Sequence, residues 1–119
     1  MQWNKKQKEL IEKVIQHYET ELKKDLGDRM VWRTSICPFC KTYYDNGCFN
    51  CPNEVIVRLM GIKTKIPPCR WTIKHLPDFK ECYYHFLLHT DYCISLRIEF
   101  WEDALVLDEK DFFKKWYGR

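Results

Sequence analysis

Cys37-Pro38-Phe39-Cys40, followed after seven residues by Cys48-Phe49-Asn50-Cys51-Pro52, is the stretch on which the fold of this chain turns. Two Cys-x2-Cys pairs this close together can set four thiolates around one tetrahedral ion, each pair gripping from a tight knuckle. The spacing predicts a structural zinc site whose simplest shell is Cys37, Cys40, Cys48 and Cys51. Cys69, which follows Cys51 after seventeen intervening residues and is held by Pro67-Pro68, is the alternative fourth ligand in place of Cys48. A seven-residue loop strains two full knuckles more than one knuckle and two separate contacts. Thiolate donors in this number suit zinc ahead of an iron–sulfur cluster or unligated buried thiols. A closed shell of four sulfurs leaves no position for water or substrate, so the metal is expected to brace the fold and not to catalyse.

Outward from this segment, the chain reads as one domain of 119 residues, short enough for a metal staple to matter to its stability. Five Trp, seven Tyr and seven Phe supply a packed core, and 31% charged residues supply a solvated surface. Seven Cys form an odd set, no apolar secretory segment lies near Met1, and the chain opens on the basic run Gln2-Trp3-Asn4-Lys5-Lys6. These features predict a reducing, cytoplasmic setting in which paired cysteines hold metal. No stretch approaches a bilayer-spanning length, so no membrane partner is expected.

The expected fold is mainly α, with long N- and C-terminal helices packed around the zinc knuckle. Asn4 caps a first helix over residues 4–26, whose Leu10, Ile11, Val14, Ile15, Tyr18, Leu22 and Leu26 recur at three- and four-residue spacing before Gly27 ends it. Residues 30–36 read as an extended lead-in to the first knuckle. Asp45-Asn46-Gly47 predicts a tight reversal inside the metal segment, residues 37–69, with Phe39, Tyr43, Tyr44 and Phe49 shielding it. Pro52 opens a short helix ended by Gly61, although the β-branched residues Val55, Ile56 and Val57 suit a strand equally well, and residues 62–68 read as a loop. Asp78 and Glu81 have capping-box spacing and open a helical C-terminal segment, residues 79–117, with a break and restart at Thr90-Asp91 and a last helix capped by Asp108.

Net charge is only +3, but its distribution is uneven. From Arg58 to Lys80 there are six Lys or Arg against Asp78 alone; from Asp91 to Asp111 there are seven acids against Arg97 and Lys110. Oppositely charged solvated faces explain this at least as well as a binding surface does. The binding alternative places Arg58, Lys63, Lys65, Arg70, Lys74, His75 and Lys80 around Trp71, cations to hold phosphates and a ring to stack a base. Cys82, His85, His89 and Cys93 share one stripe of a continuous helix, yet the outer pair would be about 16 Å apart at 1.5 Å per residue, too far to share an ion. Free cysteines in the core and ordinary histidine hydrogen bonds account for them more simply.

In outline, Cys37-Pro38-Phe39-Cys40, Cys48-Phe49-Asn50-Cys51-Pro52 and Cys69-Arg70-Trp71-Thr72 resemble the C-x2-C, C-x2-C-P, C-x2-T-P pattern of small cysteine-motif proteins from bacteriophage and prophage genomes. The resemblance covers the middle third of the chain and departs at Ile73, where the pattern has Pro. It implies a phage origin, a metal-stapled fold and, by analogy with small phage proteins as a class, binding to host machinery such as a defence component. Without a glycine-rich phosphate loop, a nucleophile elbow or paired carboxylates, the chain is expected not to be an enzyme. The functional expectation is therefore a zinc-stabilised interaction protein that binds a host protein. Nucleic-acid binding around Trp71 and capture of an anionic small ligand such as a signalling nucleotide are the alternatives.

Overall fold

In the computed structural model, which describes residues 1–30, 36–76 and 90–119, the chain is mainly helical, with no strand among the described residues. Six α-helices are described: α1 (Lys5–Leu22), α2 (Pro38–Tyr43), α3 (Pro52–Leu59), α4 (Pro68–Lys74), α5 (Asp91–Val106) and α6 (Glu109–Tyr117). The expected extended segment falls on residues 31–35 and the expected Asp78–Glu81 capping box on residues 77–89, both outside the described residues.

The long helices form where local chemistry directs them. Asn4 accepts from the Gln7 amide at 2.7 Å while the Gln7 side chain accepts from the Asn4 amide at 2.9 Å, a reciprocal cap on α1. Thr90 caps α5 and Asp108 caps α6, each accepting from the amide three residues on. Helix α1 ends at Leu22, four residues short of the expected Leu26, and Gly27 does not adopt the positive φ of a helix stop. The cause is Arg29, whose Nε donates to the Lys24 carbonyl at 3.0 Å and whose Nη2 donates to the Leu22 carbonyl at 2.9 Å. Those bonds satisfy acceptors that a helix end leaves open, and the chain turns through a short 3-10 segment with Leu26 exposed.

Helix α1 lays Leu10, Ile11, Val14 and Tyr18 against α5, and α2 packs beside it. Phe100 and Trp101 of α5 centre the aromatic core, with Phe39 of α2 edge-on to Trp101 at 5.0 Å and Phe112 and Trp116 of α6 around Phe100 at 5.1 and 5.3 Å. Edge-to-face geometry of this kind adds about 0.5–1.5 kcal/mol per pair beyond burial. Trp3 Nε1 donates to the Ala104 carbonyl at 2.7 Å, tying the start of the chain to α5. Helices α3 and α4 pack on each other as a hairpin. The expected loop over residues 62–68 gives way one residue early to α4, a helix that was not expected: Pro67 is extended, but Pro68 takes the first helical position, where its missing N–H costs nothing.

Candidate metal centre

The three short helices begin alike. Cys37 is the N-cap of α2 with Pro38 next, Cys51 is the N-cap of α3 with Pro52 next, and Pro68-Cys69 opens α4. Proline fixes the first helical φ, and the helix N-terminus behind each sulfur leaves amide dipoles that favour a thiolate. The first-turn amides act on these sulfurs, Phe39 and Cys40 on Cys37 and Asn53 and Glu54 on Cys51, in each case easing ionisation. The neighbouring Cys40 thiol, aided by the Phe39 and Cys40 amides, draws Cys37 below the usual thiol range. Cys40 is raised in return, first by Cys37 and then by burial. Burial pushes Cys51 up to about 12 and raises Cys69 and Cys48.

The five expected ligands are coupled electrostatically. Charge on Cys37 acts on Cys40, Cys51 and Cys69, and charge on Cys48 acts on Cys51 and Cys69. They are free thiols, and they are coupled without being closed into a shell: among the described residues no three Cys, His, Asp or Glu side chains converge in a metal-holding arrangement. Cys37 and Cys51 are buried, while Cys40, Cys48 and Cys69 are partly so. Gly47 takes φ 65°, as the Asn-Gly reversal requires, but Cys48 and Asn50 also adopt φ 66°. For a cysteine this left-handed backbone costs about 1–2 kcal/mol, and strain of this sort collects where function demands it. Of the expected shielding aromatics, Phe39 is buried and Tyr43 half-buried, whereas Tyr44 and Phe49 are more than half exposed.

Behind the sulfurs is a group that the sequence reading counted only as one base in an acidic run. Arg97 of α5 is 2% exposed, and its Nε and Nη1 have no hydrogen-bond partner. Its Nη2 donates to Asn53 Oδ1 at 3.3 Å, and its guanidinium carbon lies 4.4 Å from the Phe100 ring centre and 5.4 Å from that of Trp101. Asn53 Oδ1 also accepts from the Thr72 hydroxyl at 2.8 Å, the Thr72 hydroxyl lies 3.1 Å from the Cys69 carbonyl, and Tyr117 donates to the Thr72 carbonyl at 2.7 Å. This buried network joins the starts of α3 and α4 to α5. The Arg97 charge eases ionisation of both Cys37 and Cys69, in each case against burial. An arginine stays charged in any protein, and leaving such a group buried without an anion is expensive by several kcal/mol. The available signal was the buried stripe Cys93, Ile94, Arg97, Phe100, Trp101 and Ala104, in which Arg97 occupies a core position.

The other candidates separate cleanly. Arg58, Lys63, Lys65, Arg70 and Lys74 are all exposed along the α3–α4 hairpin, with Glu54 the one acid between residues 51 and 76. Glu54 lies 3.5 Å from Arg58, whose guanidinium also covers the Phe49 ring at 5.1 Å. Trp71 is 6% exposed, stacked on His75 at 4.3 Å and flanked by Tyr117 at 5.9 Å, so its ring faces the core and not a nucleic-acid base. Of the Cys82, His85, His89 and Cys93 set, Cys93 is buried and the rest lie outside the described residues, as does Lys80. No described helix is long and apolar enough to cross a membrane. Set against protein families, curated proteins and solved structures, the chain finds no match.

Proposed function

We propose that this chain is a zinc-stapled interaction protein, not an enzyme, that presents the basic α3–α4 hairpin to an acidic surface of a host protein. Zinc bound by Cys37, Cys40 and Cys51 with Cys48 or Cys69 would join α2, α3 and α4 at their starts, the sulfurs closing in by side-chain rotation. All donors are thiols, the set that suits a closed structural zinc site. The orphaned Arg97 guanidinium beside them fits an anionic centre.

The observation that carries the binding role is the exposure of five cations on the hairpin that the cysteines anchor, opposed by a single acid. A rigid base beneath a charged surface lowers the ordering cost of docking, and opposite charge steers the encounter. The likeness to phage cysteine-motif proteins supports a bacterial host and a defence component as partner. Burial of Trp71 weighs against base stacking, which leaves nucleic acid and an anionic nucleotide as the lesser readings.

A pull-down of tagged protein from nuclease-treated bacterial lysate tests the proposal. The expected result is one protein partner, retained at low salt and lost from an Arg70→Glu, Lys74→Glu variant that keeps its zinc. Recovery that vanishes with nuclease, or that survives charge reversal, refutes it. Binding to mixed oligonucleotides with a steep salt dependence would move the assignment to nucleic acid.

A further inference from the structure

We propose that Arg97 is the built-in counter-cation of the zinc centre, a positioning residue that touches no partner and makes the tetrathiolate tolerable inside the core. The inference rests on the zinc reading above and concerns how that site is held. A divalent ion with four thiolates carries a net charge of −2, which is costly to bury unless a cation lies beside it. Arg97 supplies +1, at 2% exposure, with Nε and Nη1 unpartnered and no described carboxylate paired with it. Its position is fixed by the Asn53 side-chain oxygen Oδ1, which accepts from Nη2 at 3.3 Å, and by the faces of Phe100 and Trp101. Asn53 lies two residues past Cys51, and its partner Thr72 lies three past Cys69 and bonds back toward the Cys69 carbonyl. The same network thus places the guanidinium against the two helix starts that carry ligand candidates.

Tyr18 meets this guanidinium through its hydroxyl and Tyr117 lies within its field, but both are neutral phenols whose ionisation burial opposes, so neither can supply the missing negative charge. Arg29, the other buried arginine, is already paired with Asp91 at 2.6 Å and with two carbonyls. Among the described residues, Arg97 is therefore the buried charge that no described carboxylate balances. The tetrathiolate would balance it.

Two substitutions separate charge from packing. Arg97→Met removes the cation and keeps a long apolar side chain over Phe100. Asn53→Asp keeps the shape of the network and gives Arg97 a carboxylate of its own, spending its charge before the metal arrives. Competition with a chromogenic chelator on the full chain is expected to show roughly tenfold to hundredfold weaker zinc binding in both, the range found when groups behind metal ligands are changed. Thermal melts in excess chelator are expected to show Asn53→Asp at or above wild type. Equal zinc affinity in all three proteins overturns the Arg97 assignment and leaves the zinc site standing. A loss confined to Arg97→Met also overturns it, since that pattern reports packing. Wild-type protein that takes up no zinc overturns both readings.

Discussion

Replacing Cys48 by glycine and by alanine gives a comparison whose sign depends on one backbone angle. Both substitutions delete the thiol, so whatever the sulfur contributes cancels between them. At φ 66° an L side chain is strained by about 1–2 kcal/mol, and alanine keeps that strain while glycine sheds it. Glycine loses roughly 0.5–1 kcal/mol to the greater freedom of its unfolded chain. The difference leaves Cys48→Gly more stable than Cys48→Ala by about 0.5–1 kcal/mol, the reverse of the order at an ordinary helical position. At about 4 °C per kcal/mol for a domain of this size, the melting temperatures should differ by about 2–4 °C. The turn itself should persist in both, because the Cys48 amide donates to the Tyr43 carbonyl at 2.9 Å and its carbonyl accepts from the Cys51 amide at 3.0 Å. The assay is thermal unfolding followed by circular dichroism in excess chelator, which removes any metal contribution. An alanine variant that melts at or above the glycine variant would refute the reasoning. Repeating the melts with zinc, beside Cys69→Ser, then identifies the fourth ligand: whichever position loses the zinc-dependent gain in stability is the one that binds.

Three further outcomes are expected. Asn53→Ala strips a buried acceptor from the Thr72 hydroxyl and the Arg97 guanidinium together, and should cost about 2–4 kcal/mol by urea unfolding, where a value under 1 kcal/mol would mean that water replaces it. Arg29→Ala should cost about 2–3 kcal/mol by releasing the Leu22 and Lys24 carbonyls, while Asp91→Asn should cost only about 0–1 kcal/mol because that partner is 78% exposed. Burial lowers the His17 pKa from its ordinary 6.5, with the Glu21 carboxylate opposing, so the fold favours the neutral ring. The stability this gives is fully present above pH 6.5 and is lost as the pH falls through the lower folded value. His17→Gln should flatten the decline in melting temperature below pH 6.5 in chelated protein, and an unchanged slope would remove His17 from the account.

Much of the scaffold was legible because it is written in short-range spacing. Asn4 announces the first helix, and the recurrence of Leu10, Ile11, Val14 and Tyr18 states which face it buries. Thr90 and Asp108 mark two more starts, and Gly47 marks the reversal inside the cysteine segment. The end of α1 was not legible, because the residue that sets it is Arg29, whose side chain must first turn back on Leu22 and Lys24. Helix α4 was hidden by two prolines, which read as extended backbone until one of them is seen to occupy the first helical turn. Cysteine spacing named the candidate sulfurs but left Cys48 and Cys69 undivided, and both remain electrostatically coupled to Cys37 or Cys51 in the fold.

Taken alone, the sequence determined the helical class, the cysteine segment and the excess of positive charge between Arg58 and Lys74, since each follows from residue type and local period. Tertiary packing decided that Trp71 belongs to the core, that the five cations of the hairpin face solvent, and that Arg97 is enclosed against Asn53, Phe100 and Trp101. Burial depends on which helix arrives from elsewhere in the chain. For Arg97 that meant α5 meeting α3 across forty-four residues at Asn53, a contact that no window of neighbouring residues contains.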